Sequence, residues 1–155
     1  MPKQSAGIVL YRKPSALLEV FLVHPGGPYY VKKDLGVWSI PKGEFQSDED
    51  PLKAAKREFK EETGQHVAEG EFMPLQSIKY KNGKLIHAWA VEGNVDAEKV
   101  VSNTFKMEYP YKSGKWIDVQ EVDRGGWFDL ATAKAKLIPA QVALVEELAS
   151  ILQPG

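Results

Sequence analysis

Glu58, Glu61 and Glu62 stand at i, i+3 and i+4 in the segment GEFQSDEDPLKAAKREFKEETGQ, residues 43–65. On a helix these positions are neighbours on one side. Like charges at that spacing repel, so an isolated helix would be slightly destabilised and something should compensate. A divalent cation is the natural candidate, because carboxylate oxygens are hard ligands suited to Mg²⁺ or Mn²⁺. The same cluster also reads as a plain solvated face, with Arg57 pairing to Glu61 as ordinary surface support. The cluster alone leaves both readings open.

A helix is needed to hold the three side chains together, and the sequence specifies one. Asp50 followed by Pro51 is an N-cap residue with proline at the first helical position. The helix is predicted to run to about Thr63, with Gly64 just past its end. Leu52, Ala55 and Phe59 share one face at helical spacing and should meet a core.

Around this helix the punctuation alternates. Residues 6–11 and 19–24 are apolar runs separated by Lys13-Pro14-Ser15 and read as two strands with a turn. Residues 25–30 form a loop by their Pro and Gly content, and residues 37–40 a short strand stopped by Pro41. Residues 72–80 and 85–95 are predicted strands, with Lys81-Asn82-Gly83-Lys84 as a hairpin turn. Residues 101–115 suggest a long loop, and loops of that length are often functional. Residues 116–128 read as a last extended segment, and residues 131–136 and 139–152 as helices. In the second of these, Gln141, Leu144, Val145, Leu148, Ile151 and Leu152 form an amphipathic stripe. The order of elements indicates an α+β fold with a mixed sheet flanked by helices.

Composition narrows the function classes. The 155 residues suit one domain, 1–155, and carry 20 Lys+Arg against 21 Asp+Glu, a formal charge of -1. That balance argues against a binder of nucleic-acid polymers, whose affinity rests on a large positive surface. With no cysteine, the chain has no disulfide, no thiolate zinc site and no cysteine nucleophile. No segment reads as a signal sequence or a membrane span, so a cytoplasmic protein with no membrane partner is expected.

The flanks of the glutamate cluster decide what it resembles. Gly43, Glu49, Arg57, Glu58, Phe59, Glu61, Glu62 and Gly64 match the Nudix box, G-x5-E-x7-R-E-U-x-E-E-x-G-U, with U a bulky apolar residue. Every fixed position fits; the last U is Gln65, a departure, with Val67 the nearest apolar residue. The chain therefore resembles the Nudix hydrolase family. That resemblance implies the Nudix fold, an α/β/α sandwich with a mixed central sheet. It implies that Glu58, Glu61 and Glu62 ligate Mg²⁺, with Mn²⁺ as a substitute and the backbone carbonyl of Lys42 as a further ligand. Gly43 would allow a tight turn and close backbone approach. Glu49 and Gly64 would be structural, and Arg57 would orient the catalytic carboxylates.

The implied reaction is hydrolysis of a phosphoanhydride. The cation neutralises and polarises the diphosphate and activates water, and a glutamate takes the water's proton. That base is expected to be Glu62 or Glu61; Glu108 and Glu121, in or after the long loop, are further candidates that also read as surface residues. The substrate is expected to be a small nucleoside polyphosphate. Tyr80, and the stretch Trp38-Ser39-Ile40-Pro41-Lys42-Gly43, resemble the diadenosine polyphosphate hydrolase subgroup. Tyr80 reads equally as a cross-strand packing partner. Tyr29, Tyr30, Tyr109 and Tyr111 are loop aromatics suited to stacking on a base; Trp38 and Trp127 read as core. Lys32, Lys33, Lys42, Lys106 and Lys112 are candidate phosphate contacts. ADP-ribose, a damaged nucleoside triphosphate and a diphosphoinositol remain alternative substrates. An inactive nucleotide-binding regulator is the alternative of another class.

Overall fold

Strand β1, Gln4–Arg12, is buried along seven of its nine residues. That requires cover on both faces of the sheet. Alternate side chains point to opposite faces, and the core divides accordingly. Ala6, Ile8 and Leu10 join one apolar cluster with Ala54, Ala55 and Phe59 of helix α1, Pro51–Thr63. Val9 and Tyr11 join a second cluster with Leu144, Val145 and Leu148 of the C-terminal helix. The result is the expected α/β/α sandwich. The computed structural model describes residues 3–14, 17–67 and 69–152.

The main sheet has the order β4-β6-β1-β2-β9, with β3 beside β1 and β5 beside β6. Its members are β1, β2 (Glu19–Pro25), β3 (Lys42–Glu44), β4 (Met73–Pro74), β5 (Ile78–Lys79), β6 (Leu85–Glu92) and β9 (Val122–Asp129). β1 and β6 run parallel and all other pairs antiparallel, so the sheet is mixed. Strands β7 (Thr104–Glu108) and β8 (Trp116–Gln120) form a separate two-stranded sheet. Helices α2 (Leu130–Lys136) and α3 (Val142–Leu152) close the chain.

Helix α1 follows its sequence signals. The Asp50 carboxylate accepts the Lys53 N–H at 3.0 Å, satisfying an otherwise orphaned donor of the first turn. Gly64 takes φ 76° and donates its N–H to the Lys60 carbonyl at 2.8 Å. That left-handed conformation disfavours any side chain. The turn Lys81-Asn82-Gly83-Lys84 also forms as expected, closed by the Tyr80 N–H on the Lys84 carbonyl at 2.8 Å.

Several expectations are corrected. Residues 37–40 are not a strand but a loop with two isolated bridges, Val23 to Ser39 and Trp38 to Leu137. Residues 72–80 make two short pieces, β4 and β5, rather than one strand. The predicted long loop of residues 101–115 contains β7, and the extended run of residues 116–128 is broken into β8 and β9. The last helix begins with a 3-10 turn, Pro139–Gln141, in which the Gln141 N–H donates to the Ile138 carbonyl at 2.9 Å. Ile151 is 43% exposed, so it falls outside the buried stripe. Ser15, the last residue of the first predicted turn, lies outside the described residues.

Candidate active site

Strand β3 runs beside β1 and fixes two of the three glutamates of α1. Its residues Lys42 and Gly43 pair with Gly7 and Ala6 of β1. The Lys42 N–H donates to Glu62 Oε1 at 3.2 Å. A Cβ at Gly43 would collide with the Glu58 carboxylate, so glycine is the residue that lets this side chain lie against the backbone.

Arg57 gathers the remaining acidic groups. Its Nε and Nη2 donate to the two carboxylate oxygens of Glu49 at 2.9 and 3.0 Å, a bidentate fork. Its Nη1 donates to Glu58 Oε1 at 2.8 Å and to both oxygens of Glu61 at 3.2 and 3.3 Å. One guanidinium thus holds three box glutamates, and those partners push its own pKa up further. Among the described residues, no three acidic or histidine side chains are already drawn around one point.

Glu121 comes from elsewhere in the chain. It sits at the break between β8 and β9, where the β2–β9 register shifts between His24 and Pro25. Such irregularities re-aim side chains next to sites. The Glu121 N–H donates to the Asn103 carbonyl at 3.0 Å, and the Asn103 N–H donates to the Glu61 carbonyl at 2.9 Å. The Gly26 N–H donates to the Glu121 carbonyl at 3.1 Å. This relay of backbone bonds ties Glu121 to the C-terminal turns of α1.

The electrostatics follow from crowding. Burial pushes the Glu62 carboxyl up to about 8; Lys42, through its charge and its N–H, opposes this, and Glu121 and Glu58 add to it. Burial and the neighbouring Glu61 charge push Glu58 up to about 7, against the pull of Arg57. Glu121 is raised by burial and by Glu61. Burial lowers the Lys42 ammonium, while Glu62 and Glu58 pull it the other way. Four carboxyls therefore share a region in which three of them resist ionising. A hard divalent cation would relieve that repulsion, and this donor set fits one.

Beside the carboxylates lies an open cavity of about 300 Å³ lined by Tyr30, Val37, Ser39, Lys42, Glu62 and Glu121 among others. Of the candidate substrate residues, Tyr30 and Lys42 line it. Tyr109 does not line it; its ring meets Tyr29 edge-on at 5.5 Å, where the β7–β8 turn begins. Tyr80 does not line the cavity. Its hydroxyl accepts from Gln141 Nε2 at 2.9 Å, which is the packing role. Glu108 is bonded into the hairpin turn, where it accepts the Gly114 N–H at 2.9 Å. Lys106 pairs with Asp118 at 2.7 Å.

Two functions were not readable from types and spacing. Gln65, the departure from the box, uses its carboxamide on both backbone groups of Asp96: Nε2 to O at 2.9 Å and Oε1 from N at 3.0 Å. It adds a polar clamp after the helix, where Val67 supplies the apolar packing. Gln141 sits fully buried and joins three segments, accepting from the Ile40 N–H and donating to Ser39 Oγ and the Tyr80 hydroxyl. A glutamine on an amphipathic stripe gave only a faint sign of this.

The NUDIX domain family matches residues 1–148. The chain thus belongs to the Nudix family. Its fold is shared by a C. elegans Ap4A hydrolase solved as a binary complex, with TM-score 0.64 and 22% identity over 96% of this chain and 97% of that one. The NUDIX domain of Shewanella oneidensis NrtR complexed with ADP ribose superposes with TM-score 0.67 and 17% identity, covering 99% and 90%. A MutT protein from Methanosarcina mazei Go1 gives TM-score 0.62 and 17% identity, covering 99% and 97%. In sequence, an octanoyltransferase from Myxococcus xanthus is 29% identical over 102 residues, 66% of this chain and only 25% of that protein. Nudix hydrolases generally use divalent metals. Among the described residues, no helix is long and apolar enough to cross a membrane.

Proposed function

We propose that residues 1–155 act as one Mg²⁺-dependent hydrolase of nucleoside polyphosphates, with a dinucleoside polyphosphate as the leading substrate and Mn²⁺ as an alternative metal. The observation that carries this reading is the joint lining of one cavity by Glu62, Glu121, Lys42 and Tyr30. Acid, base, cation and aromatic ring meet there within reach of one small molecule. A cytoplasmic location and a small-molecule partner, with no nucleic-acid polymer or membrane, belong to the same reading.

Glu58, Glu61 and Glu62, with the Lys42 carbonyl, would hold the metal. When bound, a divalent cation offsets the negative charge of the diphosphate oxygens that otherwise repels a nucleophile. Arg57 keeps Glu58 and Glu61 oriented, and Glu49 keeps Arg57 in place. Glu121 stands off the helix and outside the Arg57 clamp. With the helix glutamates committed to the cation, a Glu121 carboxylate oxygen accepts the proton of the attacking water. The Lys42 ammonium pairs with a phosphate oxygen, and the Tyr30 ring stacks on the base.

The test is a substrate panel run with metal omitted and restored, products separated by chromatography. Dinucleoside polyphosphates should be cleaved only with Mg²⁺ or Mn²⁺. ADP-ribose turnover alone would replace the leading substrate; the fold shared with a domain that was solved with ADP ribose favours that second reading. Absence of all hydrolysis would turn the reading toward a binding regulator, against which the complete glutamate set stands.

A further inference from the structure

His24 is fully buried near the end of β2, and both its ring nitrogens are engaged. Nε2 lies 2.6 Å from the Lys33 carbonyl oxygen, and Nδ1 lies 2.9 Å from Asp123 Oδ1. A carbonyl oxygen only accepts, so Nε2 carries a hydrogen. A neutral imidazole has one N–H. On a neutral ring Nδ1 would then turn a lone pair toward an ionised carboxylate. The contact is attractive only with a second proton between Nδ1 and Oδ1. Arg124 Nη1 lies 3.6 Å from the same Asp123 oxygen.

The two partners belong to different walls of the cavity. Lys33 is in the loop 26–36, which carries Tyr30 and Gly36. Asp123 follows Glu121 and Val122, which line the same cavity. Neighbouring charges serve the same loop. Trp38 meets the His24 ring edge-on at 5.1 Å, and its Nε1 donates to Asp34 at 2.8 Å. Lys136 of α2 pairs with that same Asp34 at 2.7 Å. Glu121 has a backbone anchor outside this loop at Asn103, besides its contact with Gly26 at the loop's start.

We infer that His24 is a positioning residue: a doubly protonated imidazole that braces the Tyr30 loop against the strand following Glu121 and so holds the cavity at its substrate-binding width. This rests on the cavity being the substrate site, and the experiment separates the two. Asp123→Asn is the informative variant. Its amide N–H can donate to Nδ1 while Nε2–H still donates to Lys33, so a neutral ring keeps both bonds. Asp123→Ala removes one bond outright.

Three measurements on the full chain decide it. Long-range ¹H–¹⁵N spectra should show both His24 nitrogens protonated in the unmodified protein and one bare nitrogen in Asp123→Asn. Hydrogen exchange across residues 26–36 should accelerate in Asp123→Ala and stay unchanged in Asp123→Asn. With the substrate found on the panel, Asp123→Ala should raise KM about tenfold, the scale of one lost charge-assisted hydrogen bond, with kcat nearly unchanged. Asp123→Asn should restore KM. A bare nitrogen on His24 in the unmodified protein overturns the proposal, as does equal damage from the two variants. Should no substrate turn over, the functional reading fails while the spectra and the exchange still judge the strut.

Discussion

Replacing Glu62 by Gln should stabilise the metal-free protein, and only at high pH. A carboxyl whose folded-state pKa lies above its unfolded value binds more protons folded than unfolded. Stability from that proton is present at low pH and is lost as pH rises through the folded value. For Glu62 the window runs from the ordinary 4.5 up to about 8. At about 1.4 kcal/mol per unit, the full shift corresponds to roughly 5 kcal/mol as a ceiling. Glu58 is raised as well, to about 7, and a proton held by either eases the charging of the other. The expected gain for Glu62→Gln at pH 9 is therefore about 2–3 kcal/mol, or roughly 5–10 °C in Tm for a domain of this size. Near pH 4.5 the gain should vanish. The amide oxygen still accepts the Lys42 N–H, so the local geometry survives. The assay is thermal unfolding in a chelator from pH 4.5 to 9. Adding Mg²⁺ at pH 9 should then stabilise the unmodified protein by binding the folded state alone, and the variant much less. A Tm difference that does not change with pH would refute the reasoning, because it would mean that the proton on Glu62 has no part in it.

Other substitutions probe the remaining parts. Arg57→Lys keeps the charge but loses the fork to Glu49 and the reach to Glu58 and Glu61; kcat should fall at least about tenfold while Tm moves little, since the group is surface-accessible. Glu121→Gln should lower kcat by about 10²–10⁴, the usual scale of a general base, while leaving metal affinity, read by calorimetry, nearly unchanged. Gly43→Ala drives a methyl into the Glu58 carboxylate; Mg²⁺ binding should weaken even where circular dichroism shows a normal fold. Phe59, fully buried against Phe21 at a ring separation of 6.2 Å, should cost about 3–5 kcal/mol in denaturant melts when cut to Ala.

How much of this was legible in the sequence depended on how local each signal was. Asp50, Pro51, Phe59 and Gly64 specify helix α1 within one short window, and the structure follows them closely. The two inner strands β1 and β2 were equally clear, because buried strands read as continuous apolar runs. The β7–β8 hairpin was not. One of its faces carries Thr104, Lys106 and Glu108 opposite Gln120, Asp118 and Trp116. With Pro110 and Gly114 between the strands, that polar alternation looks like a loop. The site divides the same way. Box residues lie within one helix and its approach, so spacing places them. Glu121 could be named only as one candidate beside Glu108, because its position is set by pairing between β2 and β9 and by a register shift. No local pattern encodes that. The bonding of Tyr80 and Gln141 is likewise a product of packing between distant segments.

The antiparallel union of β2 with β9 has a consequence for how the cleft is born. Glu19–Pro25 leaves the ribosome well before its partner Val122–Asp129. Until that late stretch arrives, the acidic helix can settle on its edge strand, yet the wall carrying Glu121 does not exist. Assembly of the reaction chamber thus waits for that later strand, and a nascent chain stalled before it holds half a cleft with nothing opposite.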